Sequence, residues 1–88
     1  MFTLSFSGRF SRDVKIIVKR GYDVDILKQA IRHLEKAGTL PRENKPHKLT
    51  GNYTGYWEAH LKPDWLIIWK RTGNEIQLTR TGTHSDLF

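Results

Sequence analysis

The segment Trp65-Leu-Ile-Ile-Trp69-Lys-Arg71 constrains this chain most. Its first five residues are apolar at both alternations, so either face of a strand made from them must be covered. That pattern reads as a central strand, buried on both faces. Turn signals fence it, Pro63-Asp64 before and Gly73-Asn74 after. The runs on either side alternate instead. In Tyr56–Lys62, Trp57, Ala59 and Leu61 point one way, and Tyr56, Glu58, His60 and Lys62 the other. In Glu75–Thr81, Ile76 and Leu78 point inward. Three strands joined by short turns form an antiparallel meander.

The first half of the chain supplies what covers that sheet. Phe2, Leu4 and Phe6 alternate with Thr3 and Ser5, a short half-buried strand. Ser7 is a candidate N-cap for a helix whose apolar stripe is Phe10, Val14, Ile17 and Val18. Arg12, Lys15 and Lys19 share another stripe, and Gly21 ends the helix. Asp23 caps a second helix with the stripe Val24, Leu27, Ile31 and Leu34, closed by Gly38. Residues 42–55, with Pro46, Gly51 and Gly55, read as irregular. The expected fold is α+β with the order β-α-α-β-β-β. A helical hairpin packs on one face of a small, mostly antiparallel sheet, in a single domain over residues 1–88. The other sheet face is left for a ligand.

Charge indicates the kind of ligand. Fifteen Lys and Arg against nine Asp and Glu give a net charge of +6, a strong positive field on 88 residues. That favours a polyanion such as nucleic acid. No apolar run approaches the roughly 20 residues of a membrane span, so no membrane partner is expected. The opening Met-Phe-Thr-Leu-Ser-Phe lacks a basic n-region and a long apolar stretch, so a cytoplasmic location without a signal peptide is expected. The absence of cysteine excludes disulfides and thiolate metal sites.

Four histidines remain as candidates for chemistry. His33 lies among Arg32, Glu35 and Lys36 on helix two and reads as solvated. His47, His60 and His84 fall in the strand-rich half. They form no close ligand pair, and Lys45, Lys48, Lys62 and Arg80 around them repel a divalent ion, so neither metal nor cofactor is expected. Acid–base work suits them better, because imidazole titrates near pH 6.5. Cutting an RNA phosphodiester needs a base for the 2′-OH, a donor for the charge growing on phosphorus, and an acid for the departing 5′-oxygen. Histidines and an arginine supply all three, and Asp64 could orient a histidine or accept a proton. A basic face with exposed aromatics would also suit unstacked bases. Arg80 shares strand parity with the inward Ile76 and Leu78, so to serve the open face it must reach around a twisted strand end, unless a bulge near Thr79 shifts it.

The blocks Lys45-Pro-His-Lys-Leu-Thr-Gly-Asn-Tyr-Thr-Gly-Tyr-Trp-Glu-Ala-His60, Lys62-Pro-Asp-Trp65 and Arg80-Thr-Gly-Thr-His-Ser-Asp-Leu-Phe88 closely resemble the YafQ family of bacterial type II toxins, in the RelE/ParE superfamily. The resemblance spans nearly the whole chain, with Trp69 where it suggests a tyrosine. It implies an endoribonuclease that cuts messenger RNA in the ribosomal A site without metal and is blocked by a cognate antitoxin. It places the active site on His47, His60, Asp64, Trp65, His84 and Phe88. In this reading His84 swings over a phosphate as acid or base, and His60 and Asp64 form the complementary pair. His47 completes the pocket, Arg80 stabilises the phosphorane, and Trp65 and Phe88 pack on a base or shape the pocket. Two other readings compete: a non-catalytic toxin of the same fold that inhibits a target such as gyrase by binding, and a simple RNA-binding module.

Overall fold

Ser7 turns the first strand into the first helix. Its hydroxyl oxygen accepts from the Phe10 N–H at 3.0 Å and its O–H donates to the Thr79 carbonyl at 2.7 Å. One side chain thus caps a helix and ties it to the far end of the chain. The computed structural model describes residues 1–88, with β1 at Thr3–Phe6, α1 at Gly8–Lys19 and α2 at Val24–Ala37. There follow β2 at His47–Lys48, β3 at Tyr56–Lys62, β4 at Trp65–Thr72, β5 at Glu75–Gly82 and α3 at His84–Leu87. Asp23 caps α2 by accepting from the Asp25 N–H. Gly38 closes it at φ 76°, where a Cβ would come within 2.6 Å of the Phe2 ring. Glycine there allows the left-handed turn and also the close approach of the chain's start.

The five strands run in the order β1-β5-β4-β3-β2, with β4 central. β1 pairs parallel to β5, and every other pairing is antiparallel. The two long helices cover one face. Phe10, Ile17, Leu27 and Leu34 from the helices meet Ala59, Trp65, Ile67, Trp69, Ile76 and Leu78 from the sheet. On the opposite face, Leu66 and Ile68 of β4 are covered by Leu87 of α3, with Leu49, Tyr53 and Tyr56 at the rim. The doubly apolar run is therefore buried on both sides, but the second cover is a four-residue helix, and much of that face stays open.

Two bulges reset which residues look outward. Ile68 pairs with Arg80 while the adjacent Trp69 pairs with Leu78, so Thr79 is the extra residue and Arg80 moves to the open face beside Ile68. This bulge removes the parity conflict at Arg80. The second lies at Leu61: His60 pairs with Leu66 and Lys62 with Trp65. Lys62 therefore leaves the face of His60 and joins the Trp65 side, contrary to strict alternation.

Other departures from the sequence reading are local. The segment 42–55 is not wholly irregular. It holds two short 3-10 turns and β2, which extends the sheet by one strand. The residues after β5 form α3, which the expected element order did not include. β1 is half-buried as expected, with Phe6 at its end 52% exposed. His33 is not simply solvated: it is half-buried, with Nδ1 at 2.7 Å from the Thr39 carbonyl beyond the end of α2. No helix is long and apolar enough to cross a membrane.

Candidate active site

Three imidazoles form a row across the open face. His47 comes from edge strand β2, His60 from β3, and His84 from the first turn of α3. Ring centroids are 6.5 Å apart from His47 to His60 and 6.1 Å from His60 to His84. β4 passes beneath: His60 pairs with Leu66, and Leu66 with Gly82. The chain then turns at Thr83 and lays His84 back over the sheet.

Long-range contacts hold that last turn. The Thr83 hydroxyl accepts from the Asp86 N–H while Asp86 Oδ2 accepts from the Thr83 N–H, a reciprocal cap. Arg20, at the end of α1, grips the same carboxylate through two nitrogens, at 2.6 and 3.0 Å. The guanidinium and the Thr83 amide hold the Asp86 carboxyl well below the usual carboxylate range. Gly82 permits this closure, since a Cβ there would lie 2.8 Å from Asp86 Oδ2.

Asp64, in the β3–β4 turn, fixes His84 itself. Asp64 Oδ1 accepts from the His84 backbone N–H at 3.0 Å and lies 2.7 Å from its Nδ1. These contacts, the backbone one first, hold the Asp64 carboxyl below its ordinary value. A carboxylate accepting at Nδ1 places the hydrogen there and leaves Nε2 as the working nitrogen. His84 is thus anchored rather than swinging, and its Nε2 has no protein partner. His60 is similar but looser, with Nδ1 at 3.4 Å from the Pro63 carbonyl and Nε2 free.

His47 differs from both. Its Nδ1 faces the Lys45 carbonyl at 3.0 Å and its Nε2 faces Glu58 Oε1 at 3.2 Å. Both partners are acceptors, so the doubly protonated ring is the form that satisfies both contacts. Glu58 is only 6% exposed, and its second oxygen has no partner. Sequence alternation put Glu58 on this face without giving it a task. Its direct pairing with His47 across β2 and β3 supplies one.

The remaining expected residues divide. Phe88 is 63% exposed, with its ring 5.5 Å from Tyr53, which in turn meets Tyr56 at 5.8 Å. That aromatic edge of Phe88, Tyr53 and Tyr56 borders the site, and Tyr53 was hidden in the segment read as irregular. Arg80 lies on the open face, but Asp13 of α1 holds its Nε at 2.7 Å and Nη2 at 3.1 Å, and Tyr53 lies against the same guanidinium. Trp65 is 2% exposed on the helix side, edge-on to Tyr22, with its Nε1 donating to Thr81. It cannot stack on a base. What it can do is shape the support under Asp64.

No three His, Asp or Glu side chains converge as a metal-binding group. Imidazoles sharing one tetrahedral ion would have centroids about 5 Å apart, closer than this row. Two free Nε2 atoms on neighbouring rings can exchange protons with a bound anion, and the Arg80 guanidinium beside them can donate hydrogen bonds to it. They mark the class to which the chain belongs: small basic α+β proteins with a row of histidines on an open sheet face.

The family is then specific. Residues 2–88 match the model described as bacterial toxin of type II toxin-antitoxin system, YafQ, and the chain belongs to that family. It is 41% identical over 86 residues to the mRNA interferase toxin YafQ of Escherichia coli K12, covering 97% of this chain and 94% of that protein. The crystal structure of the E. coli DinJ–YafQ complex is similar at a TM-score of 0.91 and 39% identity, covering 100% of this chain and 99% of that one. A metal-bound toxin from Helicobacter pylori is similar at a TM-score of 0.89 and 37% identity, with both chains fully covered.

Proposed function

We propose that this toxin is an endoribonuclease that cuts translated messenger RNA in the ribosomal A site, in the cytoplasm, by metal-independent acid–base catalysis. The observation that carries the reading is the pair of free Nε2 atoms on neighbouring rings, one of them backed by Asp64. The 2′-oxygen attacks the adjacent phosphorus as its proton passes to one Nε2. The bond to the 5′-oxygen breaks as the other ring supplies a proton, leaving a 2′,3′-cyclic phosphate and a 5′-hydroxyl. A base and an acid about 6 Å apart can stand on opposite sides of one phosphate. His47 takes no proton in this scheme. As an imidazolium it places positive charge beside the phosphorane, where fixed charge lowers the barrier most. Arg80 adds the charge of its guanidinium, and Phe88 packs on a base.

The open face imposes little order on a flexible substrate, which favours an RNA already aligned by the ribosome. A cognate antitoxin partner is part of the proposal, and the similarity to YafQ in its complex with DinJ supports it. Primer extension on a translated message tests the reading. In-frame breaks are expected with ribosomes and few or none without them. Translation arrest without breaks would favour a toxin that acts by binding alone.

A further inference from the structure

A concavity of about 360 Å³ opens on the flank of α1, lined by Arg9, Arg12, Asp13, Ile16 and Arg80. Arg9, Arg12 and Ile16 stand one above another on the helix and are exposed. The sole carboxylate, Asp13, is fully engaged. Its Oδ2 accepts from Arg80 Nε and from the Thr81 N–H, and its Oδ1 accepts from Arg80 Nη2. Three guanidinium groups therefore face one satisfied carboxylate. Arg80 also reaches the site already described, with Nη2 3.5 Å from the Asp86 carbonyl in the helix that begins at His84. The concavity is thus continuous with the histidine row through a single side chain.

We infer that this concavity holds the phosphate backbone of the messenger RNA next to the cut, with Arg9 and Arg12 as its contacts and Ile16 as an apolar wall for a ribose. Phosphate contacts fix register without reading sequence. On an open active site they supply the alignment that the histidines alone do not. The inference rests on the nuclease reading for its substrate, so its test uses binding and not cleavage.

The experiment measures the affinity of the full-length toxin for ribosomes programmed in two ways. One message fills the A site with a codon of 2′-deoxy sugars, which cannot be cut; the other ends at the P site. The Arg9→Gln/Arg12→Gln variant is expected to bind the filled A site about tenfold more weakly, with a log–log salt slope lower by about 1 to 1.5. On ribosomes with the truncated message its affinity is expected to stay within about twofold of wild type. Lys28→Gln/Lys36→Gln, which removes the same charge from α2, should leave both affinities within that range. Equal weakening on both ribosomes would assign the arginines to ribosomal RNA and overturn the inference. Unchanged binding, or a loss seen only toward the antitoxin, would also overturn it. A wild type that binds but leaves an all-ribose message uncut would defeat the nuclease reading and leave this one standing.

Discussion

The two ends of the histidine row pair with carboxylates in opposite ways. At one end the His84 ring is 57% exposed and the Asp64 side chain 65%. At the other the His47 ring is 48% exposed, but the Glu58 side chain only 8%. Asp64 sits in water, accepts two hydrogen bonds from one residue, and leaves Nε2 of that residue free. Glu58 is buried, keeps one oxygen unpartnered, and occupies the Nε2 of its histidine. The same pairing of imidazole with carboxylate thus yields an anchored ring with a working nitrogen and a ring with none. A histidine–carboxylate contact says little about catalysis until the nitrogen it uses is known.

The largest expected effect of breaking this contrast is at the exposed pair. Asp64→Asn retains an oxygen to accept the His84 N–H but loses the charge facing the ring. The single-turnover cleavage rate should fall by about 10²-fold, as for a displaced or mis-protonated catalytic group. Because the Asp64 carboxyl is held below its ordinary value, its charge should survive acidification. Any rate loss from its protonation in wild type should appear only below about pH 4.

Glu58→Gln should do less. His47 loses its counter-charge but not its neighbour, and cleavage should slow by about tenfold, the lower range for a charge that stabilises without transferring a proton. Urea melts should place its stability within about 1 kcal/mol of wild type, since a buried carboxylate with an unpartnered oxygen adds little net stability. A rate loss as large as that of Asp64→Asn would make the two pairs equivalent and erase the distinction.

The smallest effect concerns the clamp that carries His84. The Asp86 carboxyl is depressed by Arg20, so its stabilisation is present above its unfolded value, about pH 4, and is lost as pH falls below that. Thermal melts from pH 6 to pH 2 should show this part of the acid destabilisation in wild type and not in Asp86→Asn. At neutral pH the two should differ little, because Arg20 is 41% exposed and the ion pair is well screened.

The sequence disclosed most where a short-range pattern carries the information. Trp65–Trp69 announces a doubly covered strand, Ser7 and Asp23 cap their helices, and the parity conflict at Arg80 pointed to the bulge at Thr79. β2 and α3 were not legible, because two and four residues are too few for a period to show. α3 depends on Arg20, 66 positions away from Asp86. Its one local signal was the Thr83-x-x-Asp86 spacing of the reciprocal cap. In the site, the residue types were readable but their tasks were not. Trp65 and Phe88 are both aromatic near the histidines, and only packing shows one buried on the helix side and the other exposed. Glu58 and Tyr53 were missed because their roles come from partners on other elements.

The most direct measurement compares His84→Ala with His47→Ala in single-turnover cleavage on programmed ribosomes, with ribosome affinity measured alongside. Loss of a proton-transferring group should cost His84→Ala about 10²- to 10⁴-fold in rate with affinity nearly unchanged. His47→Ala should lose distinctly less. Full cleavage by His84→Ala, or a greater loss in His47→Ala, would contradict the assignment of proton transfer to the ring that Asp64 holds.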